Sequence, residues 1–170
     1  FGKTLGIIGL GGIGSEVARR ALAFGMKVVG YDPFLTEAHA KALGIRLAND
    51  LDDLYHDADF ITVHMPVTEL TRGMLNATAF AKMKPGVRII NTGRGKCVIE
   101  EDLAEALKSG KVAGYATDVW YSDPPDWNGP LLNAPNTVFA PHIGAETKEN
   151  MGRIGVIVDA LIGQHVSARK

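Results

Sequence analysis

Apolar residues fall into short continuous runs that alternate with amphipathic stretches from one end of the chain to the other. Runs over residues 26–31, 60–63, 87–90, 114–119 and 137–140 contain β-branched residues and are bounded by glycine, proline or acidic positions, which predicts strands buried on both faces. An opening run from Leu5 and a brief one over 45–47 bring the expectation to six or seven strands. Between them the period changes to that of helices. Residues 16–24 place Val17, Ala18, Ala21 and Leu22 on one face and stop at Gly25. Residues 36–43 read as a short solvated helix with His39 and Lys41 outward, ended by Gly44. Residues 50–55 begin in acid, Asn76 caps a helix reaching Lys82, and 100–109 buries Ala104 and Leu107. A long helix over 146–162 is apolar through Ile154, Val158 and Leu161. Strand and helix in alternation predict an α/β domain, a doubly wound parallel sheet.

The first run turns directly into glycines at the spacing Gly9-x-Gly11-x-x-Gly14. The physics of a strand, a tight turn and a helix start asks for these residues. Gly9 makes the turn, Gly11 lets backbone approach a pyrophosphate, and Gly14 lets the helix pack close to the strand. The helix N-terminus then presents unpaired N–H groups and partial positive charge. The second strand ends in Asp32, eighteen residues after Gly14, followed by Pro33 rather than arginine. A carboxylate there accepts from both hydroxyls of a ribose and repels a 2′-phosphate. The pattern predicts a Rossmann fold that takes NAD in preference to NADP.

Other strands run into residues able to do chemistry. They end in His64-Met65-Pro66-Val67-Thr68, Asn91-Thr92-Gly93-Arg94-Gly95, Asp118-Val119-Trp120 and Pro141-His142-Ile143-Gly144-Ala145. A proline-rich loop over 121–126 carries Asp123. Arg94, Asp118, Asp123 and His142 thus fall near strand carboxyl ends, beside the expected cofactor. Each has a plainer reading taken alone: Arg94 as a surface pair, the two acids as caps or turn formers, His142 as a satisfied buried imidazole, His64 as a loop-packing residue.

Length and charge narrow the partners. A chain of 170 residues suits one domain, and 18 basic against 19 acidic residues with no basic cluster argue against nucleic acid. The single Cys97 forms no internal disulfide, no Cys/His set has zinc spacing, and a reducing cytoplasm is expected. No stretch has the length of a membrane span. The start, Phe1-Gly2-Lys3, lacks both an initiator Met and a signal pattern, and reads as a cut.

Taken together, Gly9 to Gly14 with Asp32, His64-x-Pro66-x-Thr68, Asn91-x-x-Arg94-Gly95, Asp118-Val119-Trp120 and Pro141 to Ala145 resemble the D-isomer-specific 2-hydroxyacid dehydrogenases. The look is nearest to the D-3-phosphoglycerate dehydrogenase branch. The resemblance implies that residues 1–170 are the NAD-binding domain alone, with the family's substrate domain absent from the chain. It implies pyrophosphate contacts from Gly12 and Ile13, the adenosine ribose on Asp32, and an adenine side lined by His64, Met65 and Pro66. Thr92, Gly93 and Asp118 would lie at the nicotinamide end, with Gly144 and Ala145 beside the cofactor. Arg94 would hold the carboxylate of a small 2-hydroxy or 2-keto acid, His142 would exchange the proton, and Asp123 would orient His142. A homodimer is implied as well. The chain departs from the family pattern at Asp123, where the family has Glu, and at Gly12, where relatives often carry a side chain such as Arg. An NAD(H)-sensing module of the corepressor type is the alternative, and no metal is expected.

Overall fold

The computed structural model describes residues 1–122 and 124–167. Seven strands form one parallel sheet: β1 (Thr4–Ile8), β2 (Lys27–Tyr31), β3 (Arg46–Leu47), β4 (Phe60–Val63), β5 (Val87–Asn91), β6 (Val112–Thr117) and β7 (Thr137–Phe139). Their spatial order is β3-β2-β1-β4-β5-β6-β7. The chain therefore reverses its direction of winding between β1 and β4, and loops leaving the carboxyl ends of those two strands diverge to open a crevice.

Helices α1 (Gly12–Ala23), α2 (Glu37–Leu43), α3 (Leu51–Asp57), α4 (Ala77–Lys82) and α5 (Glu100–Lys108) connect the strands. Alternation along β1 divides the core. Leu5 and Ile7 join Ala18, Ala21, Val28 and Ala40 in one cluster, while Ile8 joins Leu54, Ile61, Phe80, Ile89, Leu103 and Leu107 in the other. Thus α1 and α2 cover one face, and α3, α4 and α5 the opposite one. Ile7, Ile8, Leu54 and Ile61 are wholly buried, so cutting any of them to Ala costs about 2–5 kcal/mol.

Side chains start three of these helices. Thr36 accepts from the N–H of His39, Asp50 from Asp53 and Asn76 from Ala79. The expected cap at Asn76 holds, while Thr36 and Asp50, expected as the first helical residues, stand just outside the helices as caps. Helix α1, by contrast, begins at Gly12 rather than at Glu16, because Gly12 to Gly14 adopt helical backbone once Gly14 has docked on the turn before it.

The chain divides into two units, Phe1–Ala140 and Pro141–Lys170. The first holds the whole sheet. The second, described by itself, is a short segment leading into helix α6 (Lys148–Ser167), which has no buried residue. No helix among the described residues is long and apolar enough to cross a membrane.

Candidate active site

The glycine turn is built by close approach. Gly9 has a φ of 94°, and its N–H donates to the Tyr31 carbonyl at 2.9 Å, tying the turn to the end of β2. A Cβ at Gly14 would lie 2.0 Å from the Gly9 carbonyl oxygen, so only glycine lets α1 start this near the strand. Above the turn there is room: a Cβ at Gly11 or Gly12 meets no atom within 4 Å. Helix α1 has no side-chain cap and no acid in its first turn. Its first N–H groups therefore face open space beside exposed Gly11, Gly12 and Ile13, and this is the cradle a pyrophosphate fits.

Asp32 sits one residue past β2. Its Oδ2 accepts from the N–H of Leu10 at 2.8 Å and its Oδ1 from that of Phe34 at 2.9 Å. Each oxygen keeps a further lone pair, so the carboxylate is fixed in place and still able to accept from a diol.

The crevice continues over β4 and β5. The N–H of His64 donates to the Ile8 carbonyl at 2.8 Å, extending the pairing of β1 with β4. Its imidazole lies between two hydroxyls, with Nε2 3.0 Å from Thr62 Oγ1 and Nδ1 3.4 Å from Thr92 Oγ1. Burial holds the imidazole below its ordinary pKa. Met65 and Pro66 follow on the loop, which Thr71 closes by donating to the Pro66 carbonyl at 2.7 Å.

At the end of β5 the wholly buried Asn91 organises the loop around it. Its Nδ2 donates to the Arg94 carbonyl at 2.9 Å and its Oδ1 accepts from the N–H of Gly93 at 3.0 Å. Its main-chain oxygen accepts from the N–H of Asp118 at 3.2 Å. One residue thereby sets both the Arg94 loop and the exit from β6. Arg94 itself is exposed, its Nη1 donating to the Gly93 carbonyl at 2.7 Å. The motif that contains Asn91 does not by itself assign it this role; the signal is an amide that ends a buried strand.

Gly9, Gly11, Gly12, Ile13, Gly14, Asp32, His64, Met65, Pro66, Thr92, Gly93, Arg94 and Asp118 all lie at or just past strand carboxyl ends, on one edge of the sheet. Strand β6 stops at Thr117, short of the expected 119, because the Thr117 hydroxyl bonds the main chain of Val119 and turns it. His142, Gly144 and Ala145 belong to the second unit and are exposed. His142 adopts a φ of 61°, shared among non-glycine described residues only with Asn136. Asp123 lies outside the described residues. Among the described residues no group of His, Cys, Asp or Glu is arranged to hold a metal ion.

A crevice at the switch point, a glycine turn under an uncapped helix and an acid at the end of the second strand define a dinucleotide-binding domain of the Rossmann class. Comparison with known proteins narrows this. Residues 1–144 match the NAD-binding domain of the D-isomer-specific 2-hydroxyacid dehydrogenases, and the chain belongs to that family. It is 51% identical over 149 residues, 88% of its length, to D-3-phosphoglycerate dehydrogenase of Bacillus subtilis, of which it spans 28%. It is 48% identical over 158 residues to hydroxypyruvate reductase of Thermotoga maritima, covering 92% of this chain and 50% of that protein. Among solved structures, NAD-dependent formate dehydrogenase of Staphylococcus aureus in complex with NAD superposes with a TM-score of 0.90 at 32% identity, covering 99% of this chain and 50% of the other. The chain thus spans half or less of the length of these relatives.

Proposed function

We propose that this domain serves an enzyme that moves a hydride between NAD(H) and a small D-2-hydroxy acid or the matching 2-keto acid, with D-3-phosphoglycerate among the substrates. The observation that carries this reading is Arg94. It stands exposed at the end of β5 on a loop pinned by a buried amide, and no carboxylate among the described residues pairs with it. A guanidinium held beside a dinucleotide crevice is suited to a substrate carboxylate, which it grips through two parallel N–H donors.

When bound, NADH supplies the hydride. Arg94 orients the keto acid and polarises its carbonyl; His142 gives a proton to the carbonyl oxygen in reduction and takes it from the hydroxyl in oxidation. The left-handed backbone of His142 supports that role, since such a conformation is costly outside glycine and is kept where it serves a purpose. Asp123 is the acid proposed to orient His142. Gly12 and Ile13 take the pyrophosphate and Asp32 the adenosine ribose. Met65 and Pro66 line the adenine side, Thr92, Gly93 and Asp118 the nicotinamide end, and His64, whose ring lies 3.4 Å from the Thr92 hydroxyl, the stretch between them. Gly144 and Ala145 are further proposed cofactor contacts.

Residues beyond this chain complete the substrate pocket in the whole protein. We further propose a homodimer in the cytoplasm, supported by the apolar positions Ile154, Val158 and Leu161, which α6 cannot bury by itself, and by the free Cys97. Light scattering on the full-length protein checks the dimer, and a monomeric mass rejects it. The corepressor alternative draws no support from the relatives named above. The test of function is turnover of a 2-keto acid panel with NADH by the full-length protein, lost on Arg94→Ala.

A further inference from the structure

Thr62 is buried at 5% exposure in the middle of the sheet, and its hydroxyl has one side-chain partner among the described residues, Nε2 of His64 at 3.0 Å. A buried hydroxyl that fails to donate leaves its hydrogen without an acceptor, at a cost comparable to a lost hydrogen bond. Among the described residues its one acceptor is Nε2, which accepts only when the imidazole is neutral and carries its proton on Nδ1. That choice fixes the other side of the ring. Nδ1 then donates towards Thr92 Oγ1, 3.4 Å away and exposed at the end of β5. With its oxygen accepting from His64, Thr92 has its own hydroxyl hydrogen free to point outward.

We infer that His64 is a positioning residue: it takes the Thr62 hydroxyl hydrogen on Nε2, donates from Nδ1 to Thr92, and so presents Thr92 to the cofactor as a donor for an acceptor oxygen of the dinucleotide. The opposite tautomer would make Thr62 accept, strand its hydrogen, and turn the Thr92 hydroxyl inward. A doubly protonated ring would strand that hydrogen too, in keeping with the depressed pKa of this buried imidazole. The relay passes between neighbouring strands on one side of the crevice, since Thr62 and His64 belong to β4 and its exit while Thr92 follows β5.

This inference rests on the reading that the crevice holds NAD(H), and the experiment separates the two. Nitrogen-15 spectra of the histidine side chains in the full-length protein without cofactor should show His64 protonated on Nδ1. Thr62→Val keeps the shape of the side chain and removes the donor; it should end the exclusive preference for the Nδ1 proton, giving a mixture of tautomers, and weaken NADH binding by roughly threefold to tenfold, the worth of one hydrogen bond. Thr62→Ser should restore both. Thr92→Val should lose a similar factor, and the Thr62→Val/Thr92→Val pair no more than Thr92→Val alone. An Nε2 proton in the parent protein, or losses that multiply in the pair, would overturn the relay. Should the valine variant fail to fold, the parent tautomer and the Thr92 variant decide. An Nδ1 proton in a protein that binds no NADH would instead overturn the cofactor reading.

Discussion

The side-chain amide of Asn91 grips the loop of Arg94 at two points, donating to the Arg94 carbonyl at 2.9 Å and accepting from the N–H of its neighbour Gly93 at 3.0 Å. The guanidinium is exposed, yet the backbone that carries it is bonded to a group with no solvent contact. Asn91→Ala removes both bonds and leaves a buried N–H unpaired, at a cost of about 2–4 kcal/mol in urea unfolding. In the full-length enzyme the same change should raise KM for the 2-keto acid more than Kd for NADH. Equal effects on both would mean that Asn91 serves the sheet and not the substrate loop.

Asp32 is expected to set the choice of cofactor. Its oxygens are fixed by Leu10 and Phe34, so a 2′-phosphate arriving at the ribose meets a carboxylate that cannot swing away. Calorimetry should show NADH binding at least tenfold more tightly than NADPH, a difference of about 1.4 kcal/mol or more. Asp32→Ala should narrow that gap while weakening NADH.

Gly95 allows the Arg94 loop to sit against the exit from β6. A Cβ there would stand 2.2 Å from the main-chain carbon and oxygen of Trp120 and 2.5 Å from the nitrogen of Tyr121. Backbone cannot yield as a side chain can, so Gly95→Ala should lose about 3 kcal/mol or more. Gly12→Ala is the control. Its Cβ meets nothing within 4 Å inside helix α1, and stability should hold or rise by about 0.5–1 kcal/mol. Comparable losses at the two positions would refute the close approach.

Stability against acid should depend on Asp59, which joins the starts of β1 and β4. Its Oδ2 accepts from the N–H of Thr4 at 2.8 Å, and this bond, then Lys84 and Lys3, lowers its pKa in the folded chain. A depressed carboxyl favours folding fully above its unfolded value of about 3.9, and the advantage fades as pH falls through the folded value. Asp59→Asn should therefore be less stable than the parent at neutral pH and converge with it in acid. A gap independent of pH would assign the effect to shape.

Much of this architecture was legible because it is written locally. The glycine spacing, the helix starts near Thr36 and Asp50 and the cap Asn76 each act within a few residues of where they stand, and the structure shows them there, as it does the acid at the end of β2. Misplaced boundaries come from close backbone contacts that the hydrophobic pattern does not show. Helix α1 starts early because Gly14 packs on Gly9, and β6 ends early because Thr117 bonds around Val119. Asn91 as a clamp acts within three residues and is signalled only by an amide ending a buried strand, whereas His64 as a bridge has no local signal, since the pairing of β4 with β5 brings Thr92 to it. The left-handed backbone of His142 has no local signal such as glycine.

The most direct test is kinetic. Full-length protein, its Arg94→Ala variant and its Arg94→Lys variant should be given NADH and a panel of 2-keto acids, and NADH consumption followed by absorbance. The account predicts turnover of at least one keto acid by the parent, a loss of about a hundredfold or more in kcat/KM for Arg94→Ala, and partial recovery with Lys, which keeps the charge but not the paired donors. Turnover that survives Arg94→Ala unchanged, or NADH binding with no keto acid reduced, would contradict it.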